Sequence, residues 1–542
     1  MTRTTILKGG VVIDGTGSSR IRADVEVRDD KITRVGKFTS SADLVLDVEG
    51  LVVAPGFIDI HCHSDYALLI DPRAESMVRQ GVTTEVIGNC GCSAAPLNEA
   101  VWDNLGFLER EKKPLKRVLE GDYEKTPPWF TMKDYLQLLD RGRTAVNVVP
   151  LVGHNNVRIQ AIGWDDRPAS KEELEGMRGI VDQAMKEGAF GISSGLIYPP
   201  GSYADTNELI ELSKPVAKYD GLYASHIRGE GRTLIECVKE AVAVGRGAGV
   251  RVQISHLKSS DPENWGKVKE ALILIDNARI EGLDVTCDVY PYTAWCGQMS
   301  SMVPYWAHAG GVLEMRKRFD DPKLRQKVLA EMKEGVPENP GWDNVMVVAC
   351  QTHKEFEGKR VSEIARNANV DSCDFAIDLS LAEYDASITT FAMCEDDIKN
   401  VMRNPNTFIG SDGEAIAPGG LLDYGLPHPR YYGTFPRVLG RYARSENVLT
   451  LESAVQKMTS LPAKKLGLNS RGTIGEGMFA DITVFDPIKI NDTATYMAPK
   501  QYPEGIAYVF VNGVLTLQRG QRTGALSGKA LRHNDQVKNA AN

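Results

Sequence analysis

His61 and His63 are the first residues whose types and spacing suggest chemistry. They stand two positions apart at the end of an apolar run that is typical of a β-strand. Alternate side chains of a strand point to one face, so both imidazoles can converge on one metal ion. An isolated pair could equally be two unrelated core histidines. The preceding PGFID sequence and the following Asp65 favour a metal site.

Two further histidines, His226 and His256, lie about one βα unit apart, in the sequences YASHIRGE and VQISHLK. Each ends an apolar run and precedes polar sequence, so the two would stand side by side on adjacent parallel strands. A single histidine at such a place is usually a core residue with its own hydrogen bonds. Two equivalent positions, together with the upstream pair, favour metal ligands.

Cys90 lies in the sequence VIGNCGCSAAP, directly after another strand-like run. Most lone buried cysteines act as small hydrophobic residues. A thiolate is nevertheless a good zinc ligand, and this loop would open at the same face as the histidines. Cys92 competes for the role, and the spacing does not separate the two cysteines.

Asp412 follows the last strand-like run, in the sequence FIGSDGE. An aspartate at this place could cap the next helix. Beside one or two metal ions it could instead bind metal and transfer protons.

These side chains need a scaffold that brings successive strand ends together. Strand-like runs such as GVTTEVIG, GAFGISSG and GLYASHI alternate with amphipathic stretches such as KEELEGMRGIVDQAMKEG. This alternation predicts a parallel sheet with helices outside it, as a barrel or as a doubly wound sheet. The candidate ligands follow strands, where the active sites of barrels lie, and this favours a TIM-type (β/α)8 barrel.

Both ends of the chain differ from the centre. Residues 1–54 and 473–542 contain short runs with period-two alternation, and Asn512-Gly513 indicates a hairpin turn. We expect the two ends to form one small β-sandwich domain beside a barrel over 55–472. Helical sequence interrupts the alternation from about 300 to 371. This segment is predicted to be an insertion late in the barrel, either a lid or a peripheral subdomain.

The composition excludes several classes of protein. The 542 residues carry a formal net charge of −9, which does not support binding to nucleic acid or anionic membranes. No stretch reaches the roughly 18 apolar residues of a transmembrane helix. The first residues lack the apolar segment of a signal peptide. Nine cysteines are too sparse for a disulfide scaffold, so we expect a cytoplasmic protein with free thiols.

The sequence resembles the N-acyl-D-amino-acid deacylase (D-aminoacylase) branch of the amidohydrolase superfamily. The resemblance extends through nearly the whole chain, including GFIDIHCHSDY, QGVTTEVIGNCG, SHIRGEG, DVYPYTA and HPRYYGTFPRVLGRY. The GNCG and HPRYYGTFPRVLG sequences are much more specific to this branch than the His-x-His motif. In this family the GNCG cysteine replaces the carboxylated lysine of other amidohydrolases, which implies that Cys90 is the ligand and Cys92 is not.

The resemblance also implies one or two zinc ions and the residues around them. The implied ligands form a tightly occupied site and a second, weaker site: Cys90, His226 and His256 in the first, and His61, His63 and Asp412 in the second. Lys258 of SHLK would contact the substrate carboxylate; the alternative is a solvated cation or a partner for an acidic residue beside the ligands. Tyr290 of DVYPY would touch the same carboxylate or polarise the scissile carbonyl. Tyr198 of GLIYPPG would line the substrate pocket.

The implied reaction is zinc-dependent hydrolysis of an amide bond, with deacylation of N-acyl-D-amino acids to the D-amino acid and a carboxylate as the leading case. Metal-activated water would attack the carbonyl while Asp412 acts as general base and then as general acid. The implied partner is a small-molecule amide, and a homo-oligomer stays open. Arg228 and Arg430 are weaker candidates for contacting the substrate carboxylate and are predicted instead to hold loops through salt bridges. His154 is predicted to lie behind the ligands or to face substrate.

One departure from the family opens alternatives. Family members often carry Ser-Thr after the DxYPYxA sequence, whereas Trp295, Cys296 and Gly297 stand there in this chain. The pocket beside the scissile bond is therefore predicted to differ. Another amide, a carbamate or a cyclic amide, as in hydantoinases and dihydroorotases, is the alternative substrate, although the GNCG cysteine speaks against the cyclic amides. A third alternative is a non-catalytic scaffold protein. Such a protein would have lost metal ligands, whereas all six candidate ligands are present in this chain.

Overall fold

The computed structural model describes residues 3–104, 109–119, 126, 128–335 and 339–536. In chain order the strands are β1 Thr4–Val12, β2 Ile21–Arg28, β3 Lys31–Gly36, β4 Leu44–Asp47, β5 Val52–Pro55, β6 Phe57–Asp59, β7 Val82–Ile87, β8 Asn147–Pro150, β9 Val152–Gly153, β10 Gly191–Gly195, β11 Leu222–His226, β12 Arg251–Ile254, β13 Val285–Val289, β14 Trp295–Gln298, β15 Val345–Ala349, β16 Ser387–Thr390, β17 Thr407–Ile409, β18 Ile482–Phe485, β19 Ile506–Val511, β20 Val514–Gln518 and β21 Gln521–Arg522.

The α-helices are α1 Ala67–Ile70, α2 Glu75–Val78, α3 Glu99–Asn104, α4 Glu109–Leu119, α5 Met132–Gly142, α6 His154–Ala161, α7 Lys171–Glu187, α8 Thr206–Lys218, α9 Leu234–Ala248, α10 Val268–Ile280, α11 Val312–Asp320, α12 Pro322–Lys333, α13 Val361–Asn367, α14 Ser372–Ala382, α15 Glu395–Arg403, α16 Arg430–Arg437, α17 Leu451–Met458 and α18 Ser460–Leu466. A π-helical stretch, Val438–Ser445, continues α16. Within the described ranges, no helix is long and apolar enough to cross a membrane.

The centre of the chain is a barrel of parallel strands. Strands β6, β7 and β8 pair in that order, and β9, β10, β11, β12, β13 and β17 pair side by side in a second set. A parallel bridge between Cys62 and Gly413 joins the ends of β6 and β17 and closes the ring. Strands such as β7, β10 and β11 are buried along their whole length, as parallel strands covered by helices are. The (β/α)8 barrel predicted from the sequence is confirmed.

Helix α7 illustrates why the outer helices form where the sequence predicts them. Ser170 and Glu173 form a capping box at its first turn, which satisfies backbone N–H groups that have no partner inside the helix. Met177, Val181 and Met185 recur every four residues and are buried. This spacing gives one apolar stripe that packs on the barrel.

Both chain ends contribute to one nine-stranded sheet, in which β18 from the C-terminal part pairs with β5 from the N-terminal part. Strand β19 shows how the sheet is held. Tyr508 and Phe510 point into the core of the sheet's own domain, while Val509 and Val511 pack into the core of the barrel. The period-two alternation of the sequence therefore supplies both faces. The β-sandwich predicted from the two chain ends is confirmed.

The insertion lies between β13 and β17. It has its own antiparallel three-stranded sheet in the order β14-β16-β15, with α11 to α14 packed around it. Its core is separate from that of the barrel and includes Met299, Phe319, Val347 and Ile388. The segment predicted as an insertion, about 300–371, lies within this unit, and the short strands β14 and β16 flank it.

Candidate metal centre

All six candidate ligands lie at the carboxyl ends of barrel strands. His61 and His63 follow β6, Cys90 follows β7, His226 ends β11, His256 follows β12 and Asp412 follows β17. Parallel strands of a closed barrel bring these ends to one face. The six side chains therefore meet at one mouth of the barrel.

Four of the six donors form one compact group. Cys90 Sγ lies 3.3 Å from His61 Nε2 and 3.6 Å from His256 Nε2. Asp412 Oδ1 lies 3.5 Å from His61 Nε2 and 2.9 Å from His63 Nε2. One ligand atom from each of four residues lies within 4.8 Å of the others: His61, Cys90, His256 and Asp412. Thiol, imidazole and carboxylate donors at this spacing are the ligand types that zinc prefers.

His226 belongs to a second group. One ligand atom from each of His226, Glu230 and His256 lies within 4.8 Å of the others. Both ring nitrogens of His226 are buried, and neither makes a hydrogen bond within the described part of the chain. Buried polar groups normally have partners, so these two nitrogens fit a site that a metal ion completes. His256 is shared by both groups, and the division into a tight and a weak site stays a prediction.

The backbone holds three of the donors in an uncommon conformation. Cys90, His256 and Asp412 have positive φ angles of 52°, 36° and 50°. Such residues cost about 1–3 kcal/mol each and occur preferentially at functional sites. A Cβ atom on Gly195, at the end of β10, would lie 2.1 Å from the carbonyl oxygen of Cys90. The glycine therefore lets the Cys90 loop lie directly against β10.

The charges around the donors shift their proton affinities. Burial opposes the thiolate, but His61 and the other nearby histidines lower the pKa of the Cys90 thiol well below its ordinary value. Burial also opposes the Asp412 carboxylate, but Arg430, 2.8 Å away, is the main group that lowers the pKa of Asp412. Although burial opposes the imidazolium, Asp412 and Cys90 raise the pKa of His63 to about 10. The cluster thus favours an ionised thiolate and an ionised carboxylate.

Two carboxylates that the motifs do not predict lie behind the histidines. Glu230 Oε1 is 2.9 Å from His256 Nδ1, and Asp288 Oδ1 is 3.3 Å from His61 Nδ1, which makes no hydrogen bond to any described residue. A carboxylate on the far nitrogen of a ligand histidine fixes the tautomer and the ring orientation. The sequence feature that could have indicated Glu230 is its position four residues after His226, in the sequence SHIRGEG.

A cavity of about 440 Å³ opens above the donors. Its lining includes Lys258, Tyr290 and Tyr198, the three residues predicted to contact substrate. Lys258 Nζ forms an ion pair of 2.5 Å with Glu230. The ring of Tyr198 lies 5.1 Å from that of His226, measured between centroids. The structure therefore brings all three next to the candidate ligands.

Residues 44–517 match the sequence model of the Amidohydrolase family. The chain belongs to this family. It is 36% identical over 527 residues to D-aminoacylase of Alcaligenes xylosoxydans xylosoxydans, with 97% of this chain and 97% of that protein covered. This confirms the resemblance inferred from the motifs, and the chain is an amidohydrolase of the N-acyl-D-amino-acid deacylase type.

Solved structures of relatives show the same architecture. A D-aminoacylase structure that addresses the role of its binuclear metal centre has a TM-score of 0.81 and 36% identity, covering 97% of this chain and 99% of that chain. N-acyl-D-glutamate deacylase from Bordetella bronchiseptica, in complex with zinc and a phosphonate inhibitor that mimics the tetrahedral intermediate, also has a TM-score of 0.81. It is 34% identical, with 97% of this chain and 99% of that chain covered.

The remaining candidate site residues of this amidohydrolase lie either in the lining of the cavity or behind it. Arg430 and Arg228 both line the cavity. Arg430 holds Asp412, whereas Arg228 pairs with Glu240 at 3.0 Å and donates to loop carbonyls. His154 lies behind the site, where its Nε2 is 2.8 Å from Glu208. Cys92 lines the cavity, and burial raises the pKa of its thiol. Among the described residues, it is absent from both donor groups.

The insertion of this amidohydrolase forms the far wall of the cavity. Trp295 and Cys296, where the sequence departs from the family pattern, line the cavity together with Met302, Tyr305 and Tyr384. Trp295 Nε1 donates to Ser260 Oγ at 3.3 Å, which ties β14 to the loop after β12. The departure therefore lies in the wall that faces the donors.

Proposed function

We propose that this chain is a zinc-dependent deacylase that converts N-acyl-D-amino acids to D-amino acids and carboxylates. Six side chains would hold one or two zinc ions: His61, His63, Cys90, His226, His256 and Asp412. The observation that carries the proposal is the compact donor group beside a buried histidine whose nitrogens have no hydrogen bond to any described residue. Both lie at the floor of a cavity whose lining includes a lysine.

Asp412 is proposed to move the proton. When bound, zinc supplies Lewis acidity toward the scissile carbonyl and lowers the pKa of water. Asp412 accepts the proton of the attacking water on Oδ1, the oxygen that lies next to His61 and His63. Arg430 holds the other oxygen at 2.8 Å, so the carboxylate keeps its orientation. Asp412 then donates the proton to the departing nitrogen as the C–N bond breaks.

Lys258 and Tyr290 are proposed to bind the α-carboxylate of the substrate. The Lys258 ammonium lies 5.7 Å from the centre of the Tyr290 ring, and both residues line the cavity. Burial raises the pKa of Tyr290, so its hydroxyl stays protonated and can donate a hydrogen bond. An ammonium and a hydroxyl form charge-assisted hydrogen bonds to a carboxylate. Tyr198 would pack against the substrate beside His226.

The test is amine release by the zinc-loaded protein. The panel contains N-acetyl-D-amino acids, their L enantiomers, the corresponding D-amino-acid carboxamides and a hydantoin. We expect turnover of the N-acetyl-D-amino acids, with zinc at one or two ions per chain by elemental analysis. Cleavage of the hydantoin or of carboxylate-free amides alone would contradict the proposal and would support a changed pocket around Trp295.

A further inference from the structure

Three atoms form a tight triangle behind the donor group. Glu230 Oε1 lies 2.5 Å from Lys258 Nζ and 2.9 Å from His256 Nδ1. The third side, from Lys258 Nζ to His256 Nδ1, measures 2.8 Å. Lys258 is 3% exposed, His256 2% and the Glu230 side chain 13%, so water screens these contacts only weakly. One carboxylate oxygen therefore serves both a candidate ligand and the candidate carboxylate anchor.

The hydrogen-bonding capacity of the three groups limits which atoms can donate. An ammonium has only donors, and a carboxylate has only acceptors. His256 Nδ1 can either accept from Lys258 or donate to Glu230. If Nδ1 accepted, the proton of the neutral ring would sit on Nε2, the nitrogen that lies 3.6 Å from Cys90 Sγ. If Nδ1 donates to Glu230, Nε2 keeps its lone pair for a metal ion.

We propose that Glu230 is a positioning residue that selects the metal-binding tautomer of His256 and holds Lys258 at the substrate carboxylate. With a metal ion on Nε2, the Glu230 carboxylate would accept hydrogen bonds from both Lys258 Nζ and His256 Nδ1, and His256 Nδ1 would not accept from Lys258. The role of Glu230 at Lys258, the substrate half of the inference, rests on the proposed function. Its role at His256, the metal half, rests on the donor geometry alone. Glu230 thereby links the metal side and the carboxylate side of the cavity through one oxygen atom.

A direct ligand role is the competing arrangement for Glu230. Its Oε2 lies 3.7 Å from His226 Nε2, within the second donor group. Glu230→Gln and Glu230→Leu separate the two roles, because Gln keeps an acceptor oxygen for His256 Nδ1 and is a poor zinc ligand. Leu removes the acceptor altogether.

The first measurement is the zinc affinity of the purified full-length chain, by competition with a chromophoric chelator. We expect Glu230→Leu to weaken zinc binding roughly 10- to 100-fold, as loss of such a supporting partner does. Glu230→Gln should stay within about threefold of the unchanged protein, because its oxygen still accepts from the imidazole. The matched controls are Glu240→Leu and Glu240→Gln, because Glu240 pairs with Arg228 at 3.0 Å in the same part of the barrel.

The zinc results decide the metal half without any substrate. An equal loss of affinity in the Gln and Leu variants would make Glu230 a direct ligand and overturn the positioning role. Unchanged affinity in both would overturn it as well. If the Leu variant does not fold, Glu230→Ser, whose side chain is too short to reach the imidazole, takes its place.

The second measurement is the KM at saturating zinc for an N-acetyl-D-amino acid and for its carboxamide. We expect Glu230→Leu to raise the KM about tenfold for the carboxylate and less than about twofold for the carboxamide. In a Lys258→Met background, Glu230→Leu should add nothing to the KM for the carboxylate, since the two act through one contact. Additive effects would overturn the link. If the unchanged protein cleaves neither compound, the proposed function fails, and the zinc comparison still decides the role of Glu230.

Discussion

The two walls of the cavity differ in their charge. The barrel wall carries ionised side chains in fixed pairs: Lys258 with Glu230, and Arg430 with Asp412. From the insertion, the described residues that line the cavity include aromatic, thiol, hydroxyl and amide groups and no Asp, Glu, Lys or Arg. Its one lining histidine, His308, is neutral at pH 7, because burial lowers its pKa to about 4.

We expect this difference to separate the proposed reaction chemistry from substrate selection. In each of these two pairs the partner holds the charge, so removing one member leaves the other buried charge unpaired, at a cost of about 3–5 kcal/mol. The insertion wall has a core of its own, and within the described part of the chain its cavity-lining side chains form no ion pair with the candidate donors. A substrate side chain that faces this wall meets apolar and neutral polar groups. We therefore expect uncharged D-amino acids to be preferred over acidic ones.

The largest expected effect is on the barrel wall, at Asp412. Asp412→Asn keeps the size of the side chain and removes its capacity to accept a proton. We expect kcat to fall roughly 10²- to 10⁴-fold, as the loss of a general base does. Zinc should still bind through the other five candidate ligands, and the melting temperature should fall because Arg430 loses its carboxylate partner. A near-normal kcat would exclude Asp412 as the proton acceptor and weaken the assignment of the chemistry to this wall.

Lys258→Met should have the next largest effect, and only on substrates with an α-carboxylate. Loss of a hydrogen bond to a charged group costs about 1.5–3 kcal/mol, which is roughly a 10- to 100-fold loss in kcat/KM. The measurement compares an N-acetyl-D-amino acid with its carboxamide. The carboxamide is the internal control, because it lacks the charge that Lys258 would bind. Equal losses on both compounds would assign Lys258 a structural role.

Trp295→Ala tests the insertion wall. It removes the largest side chain at the point where the sequence departs from the family pattern, and enlarges the pocket. We expect the kcat/KM ratio between N-acetyl-D-phenylalanine and N-acetyl-D-alanine to change about tenfold, within the range that apolar pocket contacts supply. The preference for carboxylate over carboxamide should not change.

The control for Trp295→Ala is Trp306→Ala. Trp306 belongs to the same insertion, and its Nε1 donates to Glu331 at 2.7 Å. Trp306 does not appear among the described residues that line the cavity. A similar change of substrate preference in both variants would indicate a general loosening of the insertion, and the division of labour between the walls would then fail.

The clustering of the candidate ligands was predictable because it depends on local regularities. A His-x-His pair on a strand and single residues at strand ends need only period two and parallel pairing to meet. The spacing alone could not distinguish Cys90 from Cys92. In the structure the choice depends on the positive φ of Cys90 and on the contact of its carbonyl with Gly195, which lies on a distant strand.

The supporting carboxylates were not predictable in the same way. Glu230 reaches His256 because the loop after β11 returns over the end of β12, and no local pattern encodes that path. Asp288 lies inside the buried strand β13, and a carboxylate there departs from the apolar pattern that identifies such a strand without indicating its partner. The insertion was recognised from its interruption of the alternation, but β14 and β16 are too short to show period two. Their pairing across a long loop is set by tertiary contacts.

The smallest expected effect tests the neutrality of the insertion wall. Burial lowers the pKa of His308 to about 4 from an ordinary value of 6.5. The unfolded chain therefore binds this proton more tightly than the folded protein. Neutral His308 therefore makes its full contribution to the stability of the folded protein above pH 6.5, and this contribution is lost as the pH falls through about 4. His308→Gln removes the titrating group, so its melting temperature should fall less over this range, by about 2–4 °C.

The matched control for His308 is His353→Gln, because the His353 side chain is 47% exposed. This variant should follow the unchanged protein between pH 6.5 and pH 4. If His308→Gln lost stability as steeply as the control, protonation of the insertion wall would not contribute to acid unfolding. The wall would then accept a charge at little cost, and its neutrality could no longer explain a preference for uncharged substrates.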